Sequence, residues 1–338
     1  MKAIKFFAIS AMAAAMITSC SSEDELSQSN YPSDNIIRVT AGVNNAKTRA
    51  EGAGTEMKND FSLTIVNKNA PKYTYTDKVF SKSSGDWACS ETLLWQKSDA
   101  LVDIVAFAPA QTGKFNGVYA EGSIQPITYS VASDQSTSSD NNDLLYYYAP
   151  GFNPGTSLDE KGKLSIQFNH AFCMIDINVT LGTEFNKPEV LKESPIVKVT
   201  LGGTKIAANV DVTNAASVVT ASEEAAATDI TTTKGSFTPA ENADKKADPE
   251  VNAISRFSCI AIPQTVAANT FKVSLMTAGK RYEWTSAEPV VLKSGYRYTL
   301  NLSMGNDVVL LKGGSDNGGI TATPWTEGDT GLKPLETE

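Results

Sequence analysis

From about residue 35 onward the chain alternates apolar and polar positions in short runs. "IIRVTAGV" puts Ile37, Val39, Ala41 and Val43 on one face, and "FSLTIV" does the same with Phe61, Leu63 and Ile65. "KYTYTDKVF" repeats the pattern through Tyr73 and Tyr75. "LVDIVAFAP" is nearly continuous, as a strand buried on both faces would be, and Pro109 ends it. Period two over such lengths, bounded by Asn, Gly, Pro and Ser, is strand behaviour. No segment of about 12 residues keeps a helical period, so the pattern predicts an all-β protein, and strands at this spacing suit β-sandwiches.

Residues 130–143 are mostly Ser, Asp, Asn and Thr, a loop by composition. "LLYYYAP" and the turn-rich "GFNPGTSLDEKGK" follow, which places a domain division near residue 158. The expected organisation is one domain over 35–158 and a second over 159–325. The second opens with "KLSIQFNHAFCMIDINVTL", where Leu164, Ile166 and Phe168 share one phase and Ile175, Ile177, Val179 and Leu181 the other. A one-residue change of phase reverses the buried face, so a bulge or bend is expected near His170. "PIVKVTLGG", "RFSCIAIP", "FKVSLMTAG", "KRYEW" and "YRYTLNLSM" continue the strand series. Residues 220–250 hold few large apolar side chains and read as a long loop adding little to the core. The C-terminal stretch 306–325 carries two short apolar runs joined by glycines, and a polar tail fills 326–338.

The N-terminus follows a different rule. Lys2 and Lys5 precede an apolar stretch from Phe6 to Ile17, then Thr18, Ser19 and Cys20. A positive region, an apolar core and small residues form a secretory signal over 1–19. The apolar core is too short for a bilayer span, which needs about 20 residues. "ITSC" resembles the bacterial lipobox, which makes Cys20 the expected lipid attachment point and 20–34 a polar tether. Acyl chains add about 0.8 kcal/mol of membrane affinity per buried methylene. The acidic "SSEDE" resembles the export signal of surface-exposed lipoproteins.

Composition removes several functions. The formal charge is −9 and no basic run or patch occurs, so nucleic acid is not an expected partner. Besides Cys20 there are Cys89, Cys173 and Cys259, an odd number that reads as small buried residues, with one disulfide as the alternative. The single histidine, His170, sits in an apolar strand and reads as a hydrogen-bonded core residue. One histidine and scattered cysteines cannot assemble a zinc site at the usual spacings. No G-x-S-x-G presents a serine nucleophile. "GTSLDEKGK" has six residues between its glycines rather than a P-loop's four. "SDNNDLL" lacks the glycine and glutamate of a calcium loop. Trp87, Trp95, Trp284 and Trp325 read as core aromatics, with a sugar-lining role as the alternative. The expectation is a protein without enzyme activity, cofactor or metal site.

Several stretches together resemble the fimbrillin family, the Mfa-like and FimA-like pilins of Bacteroidales type V pili. They are "LLWQKSDALVDIVAFAP", "DLLYYYA", "FNHAFCMIDINV", "IPQ", "LKSGYRYTLNLSM" and "ITATPW", in that order. The resemblance implies two transthyretin-like β-sandwich domains with Greek-key connections. It implies export as a lipoprotein to the outer membrane and cell surface, then a place in a fimbrium among other pilus subunits. In the shaft subunits of that family a protease cuts after an arginine and removes the first strand, and a neighbour's C-terminal strand fills the groove by β-strand addition. On that reading the cut falls between Arg49 and Ala50, and the removable strand is the one carrying Ile37, Val39, Ala41 and Val43. The donor residues are Val308, Val309, Leu310, Leu311, Ile320 and Trp325. The alternative is a monomeric surface lipoprotein that binds a host glycan or glycoprotein.

Overall fold

The computed structural model describes residues 30–44, 55–57, 59–110, 117–120, 122–137, 142–182, 185, 192–242, 244, 246–248, 250–305, 309–311 and 320–325. Among them the chain is almost entirely β, as its period-two pattern predicts. Eight strands form the first sheet: β1 (Val39–Val43), β2 (Thr55–Glu56), β3 (Phe61–Val66), β4 (Tyr75–Ser83), β5 (Asp86–Cys89), β6 (Val102–Ala108), β10 (Leu145–Phe152) and β11 (Leu164–His170). Their order is β11-β10-β6-β3-β4-β5-β1-β2, and β1 also pairs with β11, so the sheet closes on itself. The second large sheet contains β12 (Cys173–Leu181), β17 (Thr233–Thr238), β18 (Ile254–Ala261), β23 (Tyr296–Met304), β24 (Val309–Leu311) and β25 (Thr321–Pro324). It runs β17-β18-β12-β23-β24, with β25 also on β23.

Four smaller sheets complete the molecule. β16 (Ile230–Thr231), β13 (Ile196–Gly202), β20 (Lys272–Thr277) and β21 (Arg281–Thr285) form one in that order. β15 (Val219–Ala221), β14 (Ala207–Val210) and β9 (Ile127–Ser130) form another. β19 (Gln264–Val266) pairs with β22 (Val290–Leu292), and β7 (Tyr119–Ala120) with β8 (Ser123–Ile124).

Two apolar cores result, and β6 serves both. Val102, Ile104, Ala106 and Ala108 face the first core, while Val105 and Phe107 face the second. This is why the β6 sequence lacks alternation. The second core also takes Val118, Ile127, Tyr129, Val131 and Leu144 from between β6 and β10. β9 pairs with β14 from Ile127↔Val210 to Ser130↔Ala207, so a segment between two strands of the first sheet is built into the second core.

Several expectations meet corrections here. The change of phase near His170 falls at Ala171 and Phe172, where the chain leaves β11 and enters β12 in a different sheet. Leu158 and β11 pack in the first core, so the passage between sheets comes after His170 rather than near 158. The turn residues at 153–162 mark a chain reversal, capped by Asn153 over the short helix α1 (Pro154–Ser157), and β11 then returns to pair with β1. Tyr73 closes a 3-10 turn, Pro71–Tyr73, and β4 starts only at Tyr75, because the amides of Tyr73 and Thr74 are spent on Ala70 O and Pro71 O within the turn.

Polar composition concealed buried residues in two places. The 130–143 stretch carries Gln135, fully buried, whose side-chain amide accepts from the Ile260 amide at 2.8 Å and donates to its carbonyl at 2.9 Å. The 220–250 stretch, expected to add little to the core, supplies β16 and β17 and buries Ile230 and Ala240. In both, backbone pairing and a few side chains place the segment, which a count of apolar residues does not register.

Candidate functional site

β1 is rich in residues that suit a pleated surface, with valines at both ends and Thr40 between. It runs parallel to β11 from Val39↔Leu164 to Val43↔Phe168. The Leu164 amide donates to Arg38 O at 2.8 Å, and the Asn44 amide to Phe168 O at 2.7 Å, so both ends of the pairing are closed. On the other side, the Ile37 amide donates to Leu93 O and the Trp95 amide to Asn35 O. Asp34 and Arg38 form an ion pair at 2.6 Å just before the strand, and that hydrogen bond lowers the Asp34 carboxyl to about 2.

Ile37, Val39 and Val43 are buried and Ala41 is half-buried, facing fully buried Leu164, Ile166 and Phe168. Phe61 carries this side of the core, with ring contacts to Phe168 at 5.5 Å, Phe80 at 5.4 Å and Trp87 at 5.0 Å. Burying Ile37 just before β1 and Val39 and Val43 within it, at about 1.5–3 kcal/mol each, gives this segment about 5–9 kcal/mol of apolar stabilisation beyond its hydrogen bonds. Taking β1 away would leave an apolar groove along β11.

The C-terminal strands occupy a comparable edge on the second sheet. β24 pairs with the end of β23, from Leu302↔Leu311 to Met304↔Val309. β25 pairs with its beginning, from Tyr296↔Pro324 to Thr299↔Thr321. The two therefore act as one interrupted antiparallel edge strand on their own sheet. All four residues of β25 are exposed, and its anchors are the flanking side chains of Ile320 and Trp325, both buried.

Trp325 lies flat on His170, with ring centroids 3.7 Å apart and planes 12° from parallel. His170 Nδ1 and Asp143 Oδ2 are 2.7 Å apart. The Trp325 amide donates to Gly295 O at 2.8 Å, and the Gly295 amide donates to Phe172 O at 2.9 Å. Gly295 has φ 71°, a left-handed conformation that favours glycine at this crossing of chains. Ser294 Oγ donates to Ala171 O at 2.7 Å and is 3.0 Å from His170 O. Burial, with the nearby Asp143 charge adding to it, pushes the Tyr129 hydroxyl up to about 12.

His170, Ser294, Gly295 and Trp325 border a cleft of about 1010 Å³ whose walls also include Asn44, Asn169 and Lys293. Asn44 Nδ2 donates to Asn169 Oδ1 at 2.8 Å across its rim. One cleft thus collects the residue that follows β1 and the residue that follows β25. No sequence signal marked Asp143 as the partner of His170, because the two lie in unrelated patterns and meet only where β10 pairs with the end of β11.

The other expected site residues are placed as follows. Val309 is buried in β24, and the backbones of Leu310 and Leu311 pair with β23. The side chains of Leu310 and Leu311, and all of Cys20, Arg49, Ala50 and Val308, lie outside the described residues. Cys89, Cys173 and Cys259 are unbridged, the first half-buried and the others fully buried. Burial pushes both buried thiols well up, which keeps them protonated and inert. The tryptophans engage internal partners: Trp95 stacks on Phe152, Trp87 meets Phe61, Trp284 meets Phe271, and Trp325 covers His170. Among the described residues no group of three or more His, Cys, Asp and Glu side chains could hold a metal ion, and no helix is long and apolar enough to cross a membrane.

Comparison with known proteins supplies the family. No curated protein sequence matches the chain. A cell adhesion protein of Bacteroides ovatus has a similar fold, with TM-score 0.58 at 16% identity, covering 86% of this chain and 97% of its own. A cell adhesion protein of Bacteroides uniformis is similar at TM-score 0.55 and 14% identity, covering 86% and 98%. A fimbrial protein of Bacteroides vulgatus is similar at TM-score 0.52 and 15% identity, covering 86% and 99%. The profile of the fimbrillin-like family matches residues 48–325, most of the chain and nearly all of both cores, and the protein belongs to that family.

Proposed function

We propose that this protein is a subunit of a cell-surface pilus, exported with lipid on Cys20 and joined to other subunits by strand exchange. Family membership supports the coarser part, a pilus or adhesion subunit. The finer part rests on β1. It is a short strand with apolar anchors at Ile37, Val39 and Val43, paired along β11, and the sequence carries Arg49 only a few residues after its end. A cut after Arg49 frees β1 as a separate peptide, and the groove along β11 then accepts a strand from another copy. The donor is the C-terminal segment, which sits at a sheet edge and takes only a few buried side chains, Val309, Ile320 and Trp325 among them, out of the second core when it leaves. In the intact chain both places are filled from within, as suits a form that stays monomeric until processed.

The test uses protein beginning at Cys20, treated briefly with an arginine-specific protease. A new N-terminus at Ala50, together with a ladder of oligomers that survives unboiled gel electrophoresis, is expected. The Arg49→Ala variant is expected to stay monomeric under the same treatment. A chain that resists cleavage at Arg49, or that is cut there and never oligomerises, would overturn the strand-exchange reading. It would leave the coarser assignment standing.

A further inference from the structure

We propose that β1 and β25 are coupled through β11, so that loss of β1 releases the C-terminal segment of the same molecule. This inference rests on the strand-exchange reading above and adds an order of events to it: the cut that opens the groove also arms the donor.

The unequal pairing of β11 is the first reason. β1 covers it from Leu164 to Phe168, whereas β10 pairs with it only at Asn169 and His170. Without β1, most of β11 has no backbone partner on either of these sides. Its buried face also loses Ile37, Val39 and Val43. The Asn44 contacts to Phe168 O and Asn169 Oδ1 leave with β1, so the His170 end keeps only its pairing with β10 and its contacts to Asp143, Ser294 and Trp325. A short strand held at one end by two residues opens easily, because local opening free energy follows buried apolar contact and backbone pairing.

The second reason is what His170 holds. β25 buries none of its own four side chains, so its attachment depends on backbone pairing with β23 and on Ile320 and Trp325. Trp325 has His170 as its stacking surface, and His170 is the last residue of β11. The backbone of the same corner is shared as well, from the Trp325 amide to Gly295 O and from the Gly295 amide to Phe172 O. Displacement of His170 therefore removes one of the two side-chain anchors of β25. The first sheet thus restrains a strand of the second.

Amide hydrogen exchange tests this on the chain from Cys20, read at Thr321, Ala322 and Thr323 of β25, with Cys173–Leu181 of β12 as the internal reference. After the Arg49 cut and removal of the freed peptide, exchange in β25 is expected to rise about tenfold or more while β12 stays protected. Trp325→Ala in the uncut chain is expected to produce the same rise with β1 still in place, and this variant needs no processing. Adding a synthetic peptide of residues 35–44 to the cut protein is expected to restore protection. Unchanged β25 exchange in either the cut protein or the Trp325→Ala variant overturns the coupling. If the cut protein forms ladders although β25 exchange never changed, strand exchange stands and the coupling falls. If β25 loosens yet no ladder forms, the coupling stands and strand exchange falls.

Discussion

His170 is the residue at which the two halves of the molecule meet, and its substitution is informative. His170→Ala removes the Asp143 hydrogen bond and the surface beneath Trp325 together, and about 2–4 kcal/mol of stability is expected to be lost in denaturant titration. His170→Phe, which keeps a stacking face, should lose less; equal losses would show that the ring stack contributes little. Tyr129 makes a separate prediction at alkaline pH. Its hydroxyl is raised from an ordinary value near 10 to about 12, so the unfolded chain ionises first. Its contribution is fully present below pH 10 and is lost as pH rises toward 12, at up to about 1.4 kcal/mol per pH unit. Tyr129→Phe should flatten that part of the stability curve, while Cys173 and Cys259, also raised by burial, keep their share. An unaltered slope would contradict the assignment.

At the scale of elements, the least legible strand is β16. Its neighbours in sequence are Ala, Thr and Glu, yet Ile230 is fully buried between β13 and the second core. Ile230→Ala is expected to cost about 2–5 kcal/mol in chemical denaturation, the range for a buried aliphatic cavity. Glu224→Ala, at an exposed position nearby, should stay within about 0.5 kcal/mol. If both were neutral, the stretch 220–250 would be the peripheral loop that its composition predicts. By contrast, β6 reads well from sequence, because a long apolar run between turn residues leaves little choice of burial.

For the whole molecule, the decisive feature is the segment that leaves the first sheet after β6, adds β9 to β14 and returns as β10. Tyr129 and Gln135 bury that excursion in the second core. Two domains joined by a plain linker unfold independently; two cores that share β6 and exchange a strand should unfold together. One calorimetric transition, with calorimetric and van't Hoff enthalpies in agreement, is expected for the uncut chain. Two well-separated transitions would sink this view. After loss of β1 the transition is expected to move to lower temperature, since about 5–9 kcal/mol of apolar burial goes with it.

The sequence by itself determined the class of protein and most of its strands. Alternation is a local property, set by the two faces of one strand, and so it survives without knowledge of neighbours. It also located β1 and the two apolar runs at the C-terminus, and it identified the change of phase at His170. What only the tertiary structure decided is which strands lie side by side: β1 on β11, β9 on β14, and β24 and β25 in series along β23. The first two join residues far apart in the chain, and the energy of all of them comes from backbone groups that every residue shares, so side-chain pattern carries almost no record of them. The stacking of Trp325 on His170 belongs to the same class, because it exists only where two sheets bring their ends to one cleft.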